Sequence, residues 1–197
     1  MKPFGYAVLA LAPLALAGCV TPVGPVQVTR FHLEDVSPLG KGEIAVEPAP
    51  GDDGNSIEWQ TYRAAVMRQL VRLGYTEAGP GTGGQVALLK VSRTTFRPGA
   101  PNSPVSVGVG GSTGSYGSGL GVGIGFNLSP KPKEQVSTEL AVMIKDRASA
   151  RTLWEGRASF TVAISSPLAG TALAAPKMSE ALFLNFPGQS GETIEVK

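Results

Sequence analysis

Residues 55–74 read NSIEWQTYRAAVMRQLVRLG, and this stretch decides the fold. Trp59, Tyr62, Val66, Leu70 and Leu73 recur at the three- and four-residue spacing that gathers side chains on one helical face, while Arg63, Arg68 and Arg72 fall away from it. Asn55 stands where an N-cap is needed, Glu58 follows three residues later as in a capping box, and Gly74 stands where a helix stops. The spacing predicts a helix about 27 Å long. One apolar stripe on such a helix needs a second layer to cover it.

That layer is expected from the segments on either side. Residues 26–33 and 42–46 are short β-prone runs flanking a Pro/Gly turn at 38–40, and read as two strands. Residues 85–97 begin Val86-Ala87-Leu88-Leu89, apolar on both sides of the pleat, as in an interior strand that turns polar towards its end. Residues 138–145 and 153–164 alternate: Leu140, Val142 and Ile144 share one face, and Trp154, Ala158, Phe160, Val162 and Ile164 another, with 146–151 as the turn between them. A closing helix over 176–185 would place Met178, Ala181, Leu182 and Asn185 on one side, ended by Pro187-Gly188. The fold class is therefore α+β: a mainly antiparallel β-sheet packed with two α-helices, in a single domain spanning 27–189 and followed by a C-terminal tail at 190–197.

Composition narrows the function classes. The 197 residues carry Lys+Arg 17 against Asp+Glu 15, so no concentrated basic face is expected and nucleic acid is not an expected partner. One cysteine and one histidine exclude a disulfide framework and a Cys/His metal cluster.

The one cysteine is explained by its position. Lys2 is the only charge in residues 1–18, residues 4–16 are apolar, and Leu16-Ala17-Gly18-Cys19 follows. Small residues before a cysteine admit a peptidase to the backbone and leave a thiol to accept lipid. This resembles the lipobox of bacterial lipoproteins, and implies a signal peptide at 1–18, cleavage between Gly18 and Cys19, and diacylglycerol plus an N-acyl chain such as palmitate on Cys19 as covalent lipid, with no other cofactor. The apolar run is shorter than the ~20 residues of a membrane span, and Pro13 interrupts it. Two or three acyl chains hold firmly where one, at ~0.8 kcal/mol per methylene, holds marginally. Residues 19–26, uncharged and containing Pro22 and Pro25, read as an extended tether. By the sorting rule of enteric bacteria, Val20 in place of Asp implies the outer membrane, facing the periplasm.

The lipobox, the helix ending Leu70-Val71-Arg72-Leu73-Gly74-Tyr75, the strand after it, Thr152-Leu153-Trp154-Glu155-Gly156-Arg157, and a last helix reaching Phe186-Pro187 together resemble the lipoproteins carrying domain of unknown function 4136. The resemblance spans most of the chain after Cys19 and implies an envelope location and an α+β fold, with no activity or site residues attached.

Residues 99–130 form a glycine-rich insert. Val105, Val107 and Val109 alternate with glycine or serine, and Leu120, Val122, Ile124, Phe126 and Leu128 alternate with Gly121, Gly123, Gly125 and Asn127. Period two predicts a β-ribbon whose arms meet through 111–119, apolar on one face and nearly bare backbone on the other. The candidate contact residues are Val105, Val107, Val109, Tyr116, Leu120, Val122, Ile124 and Phe126. The plainer alternative is that the apolar face completes the core or pairs with a neighbouring protomer.

Other candidate chemistry is weak. Gly110-Gly111-Ser112-Thr113-Gly114 fits G-x-S-x-G, yet a nucleophile elbow needs a helix after it, and the only histidine, His32, lies upstream. Asp52-Asp53-Gly54-Asn55 lacks calcium-loop spacing and is explained by the helix that follows. Trp59 and Trp154 are expected to be core. The expectation is a non-enzymatic, lipid-anchored envelope lipoprotein that acts as a structural or accessory component by binding another envelope protein or itself. A carrier shielding an apolar envelope molecule between sheet and helices is the alternative, and a hydrolase a weaker one.

Overall fold

The computed structural model describes residues 23–98, 105–114, 117–126 and 133–197. In chain order the elements are β1 (Val26–His32), β2 (Glu43–Pro48), α1 (Ile57–Arg72), β3 (Thr76–Glu77), β4 (Gln85–Phe96), β5 (Val105–Gly114), β6 (Gly117–Phe126), β7 (Gln135–Asp146), β8 (Thr152–Ala163), a short 3-10 helix (Pro167–Ala169), α2 (Thr171–Phe183) and β9 (Thr193–Val196). Seven strands form one sheet in the order β3-β2-β4-β7-β8-β1-β9. Pairing is antiparallel from β4 through β9, and parallel where α1 carries the chain from β2 over to β3 and β4. The architecture is α+β with a mainly antiparallel sheet and two helices, as the hydrophobic patterns predict.

Both helices lie on the same face of this sheet. Trp59, Tyr62, Val66 and Leu70 of α1 and Ala175, Met178 and Leu182 of α2 join Ile44, Leu89, Leu140, Ile144, Trp154 and Phe160 in one buried cluster. The indole N–H groups do not go unpaired: Trp59 Nε1 donates to the Leu89 carbonyl at 3.2 Å and Trp154 Nε1 to the Pro187 carbonyl at 2.9 Å.

Several boundaries differ from expectation. The cap of α1 is Ser56 and not Asn55: Ser56 Oγ accepts from the Trp59 N–H at 3.0 Å, while Asn55 N–H donates to Asp53 Oδ1 in the turn before it. At the other end Gly74, with φ at +106°, closes the helix: its N–H donates to Val71 O and that of Tyr75 to Leu70 O, the paired bonds of a Schellman motif.

The closing helix begins at Thr171 and not 176, so Pro176 lies inside it; Gly170 caps it without a side-chain bond, which removes the usual sequence signature. It ends at Phe183, and Asn185, expected on its buried side, is exposed beyond it with φ at +55°, a conformation asparagine tolerates better than most residues. Ile164, placed with the core residues of β8, falls past that strand and is exposed. Residues 190–197 are no tail: the Gly191 N–H donates to Arg30 O at 2.8 Å, and β9 pairs with β1 so that Ile194 and Val196 pack on the core. Val26, assigned to the tether, is already fully buried in β1.

The two sheet edges are short. β3 has 2 residues, and β9 has 4 that include Glu195, so neither offers a long apolar edge to another chain. The insert forms a separate two-stranded ribbon, β5 with β6, inserted between β4 and β7. Its register sets Val105 opposite Phe126, Val107 opposite Ile124 and Val109 opposite Val122, with Gly108 opposite Gly123 between them. Apolar and glycine positions thus alternate by row as far as Gly110 opposite Gly121, after which Gly111 stands opposite Leu120. Pairing continues to Gly114 opposite Gly117, so the arms run further than the expected junction at 111–119.

Candidate functional site

Both helices cover one face, and among the described residues no element covers the other face of the sheet. The register lines up its residues across four strands: Leu88 of β4 stands beside Met143 of β7, Met143 beside Glu155 of β8, and Glu155 beside Phe31 of β1. The adjacent row runs Lys90, Ala141, Arg157, Thr29 in the same strand order. These rows floor a groove of about 710 Å³, walled on one side by Ala49 and Pro50. That wall is fixed to β4, since the Ala49 N–H donates to Leu89 O at 3.0 Å and Asp52 Oδ2 accepts from the Val91 N–H at 3.3 Å.

The groove mixes apolar floor with charge. Leu88, Ala141 and Met143 are only partly covered and Phe31 is 48% exposed. Lys90, Lys145 and Arg157 face a single lining carboxylate, Glu155. Arg157 is joined to Glu139 at 3.4 Å, whereas neither lysine forms an ion pair among the described residues. A surface of this kind can hold an apolar segment and attract negative charge on it.

A second, smaller cleft of about 500 Å³ lies at the far end of β4, lined by Glu58, Arg93, Thr95, Val136, Ile164 and Ser166 among others. Arg93 is its organising group, with bonds to Glu58 Oε1 at 2.8 Å, Thr171 Oγ1 at 3.2 Å and the Ala169 carbonyl. Thr171 Oγ1 also donates to Glu58 at 3.0 Å. One strand arginine therefore ties the starts of both helices to the sheet, and its donors are used structurally.

The residues singled out from sequence go to separate places. Gly18, Cys19 and Tyr116 lie outside the described residues. Ser112 sits within β5 opposite Gly119, with β6 and not a helix next in the chain, so the hydrolase elbow is not formed. His32 is used locally, its Nδ1 2.7 Å from Leu33 O and its Nε2 3.2 Å from Gly188 O. Asp52 and Asp53 accept the backbone bonds already described, and Trp59 and Trp154 are core. Among the described residues no cluster of three or more His, Cys, Asp or Glu is arranged to hold a metal ion, and no helix is long and apolar enough to cross a membrane. The space between sheet and helices, which a carrier would need to be hollow, is filled by Trp154, Tyr62, Phe160, Leu140, Met178 and Leu182.

Titration follows burial. Burial pushes the Tyr62 phenol up to about 12 and raises that of Tyr75. Burial raises Glu47 too, but the Gly81 N–H and the Arg147 guanidinium at 2.8 Å outweigh it, and the net shift is downward. The groove residues themselves were not singled out from sequence. Their signal is the alternate set in β4 and β7: Leu88, Ala141 and Met143 fall where a wholly solvated face would carry polar residues.

The arrangement defines a class: an α+β domain with two helices on one sheet face and a grooved, partly apolar face opposite. No protein-family model matches the chain. It is 30% identical over 215 aligned positions to the uncharacterized protein ZMO1243 of Zymomonas mobilis subsp. mobilis, covering 88% of this chain and 80% of that one. The chain belongs to the family of that protein. Among solved structures it is similar to a PDZ domain protein from Parabacteroides distasonis (TM-score 0.47, 11% identity, 88% of this chain but 39% of that one). It is also similar to the PelC dodecamer from Paraburkholderia phytofirmans (TM-score 0.41, 10% identity, 85% of this chain and 99% of that one).

Proposed function

We propose that the protein is a non-enzymatic lipoprotein of the bacterial envelope. It is held by lipid on Cys19 at the periplasmic face of the outer membrane, and acts by binding another envelope protein. The observation that carries the binding reading is the uncovered sheet face, where Phe31, Leu88, Ala141 and Met143 line a groove edged by Lys90 and Lys145. Its chemistry suits an apolar protein segment bearing Asp or Glu. The anchoring half of the reading rests on Leu16-Ala17-Gly18-Cys19 and on the resemblance to lipoproteins carrying domain of unknown function 4136.

The test is a photo-reactive amino acid placed at Met143 in cells. The expected result is one protein adduct, joined through an apolar acidic segment and lost when Lys90→Glu and Lys145→Glu are combined. No adduct, or one indifferent to the charge reversal, overturns the binding reading. Anchoring is tested separately: Cys19→Ser protein that stays with washed membranes overturns it.

The groove volume favours a second reading, a carrier of an apolar envelope molecule, because about 710 Å³ lies within the range of small-molecule sites. Organic extraction and mass spectrometry of the purified protein would then recover a bound lipid; a clean extract counts against a carrier.

A further inference from the structure

We infer that the end of the sheet where the helices begin is the surface that rests on the lipid bilayer, with the groove standing at the side of the domain. The inference rests on the lipid anchoring proposed above and adds the orientation of the anchored domain. Register alone brings three chain segments to this end. Gln27 pairs with Ser159, so β1 starts within a few residues of the last residue of β8, Ala163. Ala163 pairs with Gln135, and Gln135 with Phe96, the two residues between which the ribbon is inserted. Arg93, three residues before Phe96, holds the first turns of α1 and α2 to the same end. The route back to Cys19 and both arms of the ribbon therefore leave the domain from one end.

That end carries the three most exposed large apolar side chains among the described residues, while Leu33, Val36, Val71 and Leu184, at 37%, 37%, 49% and 42%, stand towards the other end. Ile57 at the start of α1 is 86% exposed, Ile164 after β8 52%, Leu173 at the start of α2 50%, and Phe96 at the end of β4 40%. Arg97 and Lys133 flank them, exposed, with Glu134 as the neighbouring carboxylate and Glu58 already taken by Arg93. Apolar tips ringed by cations suit an interface with anionic headgroups. Cys19 lies seven residues before Val26 and therefore within about 25 Å of the start of β1, at no more than ~3.6 Å per residue. The turn between β7 and β8 stands at the opposite end, about 35 Å away along β7 at ~3.3 Å per residue. A short tether fixed near one end, with Ile57, Ile164 and Leu173, the three most exposed large apolar residues among those described, at that same end, selects one orientation over tumbling. The occupant is the bilayer that carries the anchor, not a second copy of the chain.

Lipidated protein purified from membranes is reconstituted into vesicles of phosphatidylethanolamine and phosphatidylglycerol. Its backbone amide exchange is then compared with that of the same protein in detergent-free lipid nanodiscs diluted to one copy each. Intact mass is read first. The first amides of a helix lack intrahelical partners and exchange fast, so burial at lipid slows them on the order of tenfold. The expected result, in both lipid systems, is slowed exchange at residues 57–58 and 171–172 and none at 147–150, relative to the Cys19→Ser chain in solution. Combining Ile57→Glu with Leu173→Glu, both on exposed positions, should abolish the slowing while the lipidated protein still floats with vesicles. A mass without acyl chains sinks the anchoring reading and this one together. A lipidated mass with equal exchange at both ends sinks the orientation alone, as does slowing seen only in crowded vesicles and not in single-copy nanodiscs.

Discussion

The indole of Trp154 lies over Gly156, its neighbour two residues along the same face of β8. A Cβ built at Gly156 would stand 2.8 Å from Trp154 Cζ2 and 2.9 Å from Leu182 Cδ1. The ring occupies the place of a missing side chain, and Phe183 stacks on it at 5.4 Å with Phe186 tilted against it at 5.2 Å. Gly156→Ala would force ring and Leu182 apart in a packed layer, and a loss of about 2–3 kcal/mol is expected. Gly84→Ala, where nothing lies within 4 Å, should cost no more than ~0.5 kcal/mol. Urea unfolding of both variants decides; equal midpoints would show that the indole is not held over the glycine.

The position of the α1 cap gives a sharper test of local structure. Ser56 Oγ accepts from the Trp59 N–H, so Ser56→Ala should cost ~1 kcal/mol. Asn55 offers only its backbone to the turn, and Asn55→Ala should change stability by less than about 0.5 kcal/mol. Thermal unfolding of the two variants measures the difference, and a larger effect at Asn55 would move the cap back by one residue.

These two sites show which parts of the fold were legible in sequence. The face of α1 and the cores of β7 and β8 follow from periodicity within a single element, because every residue on one face meets the same layer. Asn55 and Ser56 are both good caps, and only the geometry of the preceding turn at Asp53 chooses between them. Thr171 was hidden as a helix start because Gly170 supplies no side-chain cap and Pro176 normally marks a boundary. β9 is short and half polar, and gains its strand partner only because Gly191 turns the chain back onto Arg30. The groove was the least legible feature. Leu88, Met143 and Phe31 lie far apart in sequence, and nothing local says that both helices choose the opposite face.

Acid pH should expose the Glu47–Arg147 pair. The folded pKa of Glu47 is lowered, so its contribution is present above the ordinary carboxylate value of ~4.3 and is lost as the pH falls below it. With side-chain exposures of 24% and 29% the pair is partly screened, and a contribution of about 0.5–1 kcal/mol is expected at neutral pH. Denaturant unfolding of Glu47→Gln against the parent protein should show that deficit at pH 7 and a shrinking one as the pH falls through the carboxylate range. A deficit independent of pH would mean that the pair contributes through packing and not through charge.

The alkaline limb should carry the mark of Tyr62. Burial raises its phenol from 10.0 to about 12, so the contribution of the neutral phenol is complete below pH 10 and is lost as the pH rises towards 12. Its hydroxyl has a weak partner, Met178 Sδ at 4.0 Å, and Tyr62→Phe should leave neutral stability within about 1 kcal/mol. Between pH 10 and 12 the parent should lose stability relative to Tyr62→Phe, read by unfolding at each pH. Parallel curves for the two proteins across that window would place the phenol in contact with water.

The open face can be tested without disturbing the core beneath it. Met143 projects away from the helices between Leu88 and Glu155, and its one polar contact is the hydroxyl of Thr152 at 3.5 Å. Met143→Lys therefore removes apolar floor from the groove and adds a cation beside Lys145, while costing the fold no more than about 1 kcal/mol. Leu140→Ala, on the covered side of the same strand and fully buried, should cost ~2–5 kcal/mol. If the groove is the working surface, cells carrying Met143→Lys should accumulate normal amounts of folded protein and lose the cross-linked adduct read from a photo-reactive residue at Ala141. Cells carrying a mildly destabilised core variant such as Ile144→Val, expected to cost ~0.5–1.5 kcal/mol, should keep it. An adduct that survives Met143→Lys would separate the binding surface from the groove and return attention to the ribbon.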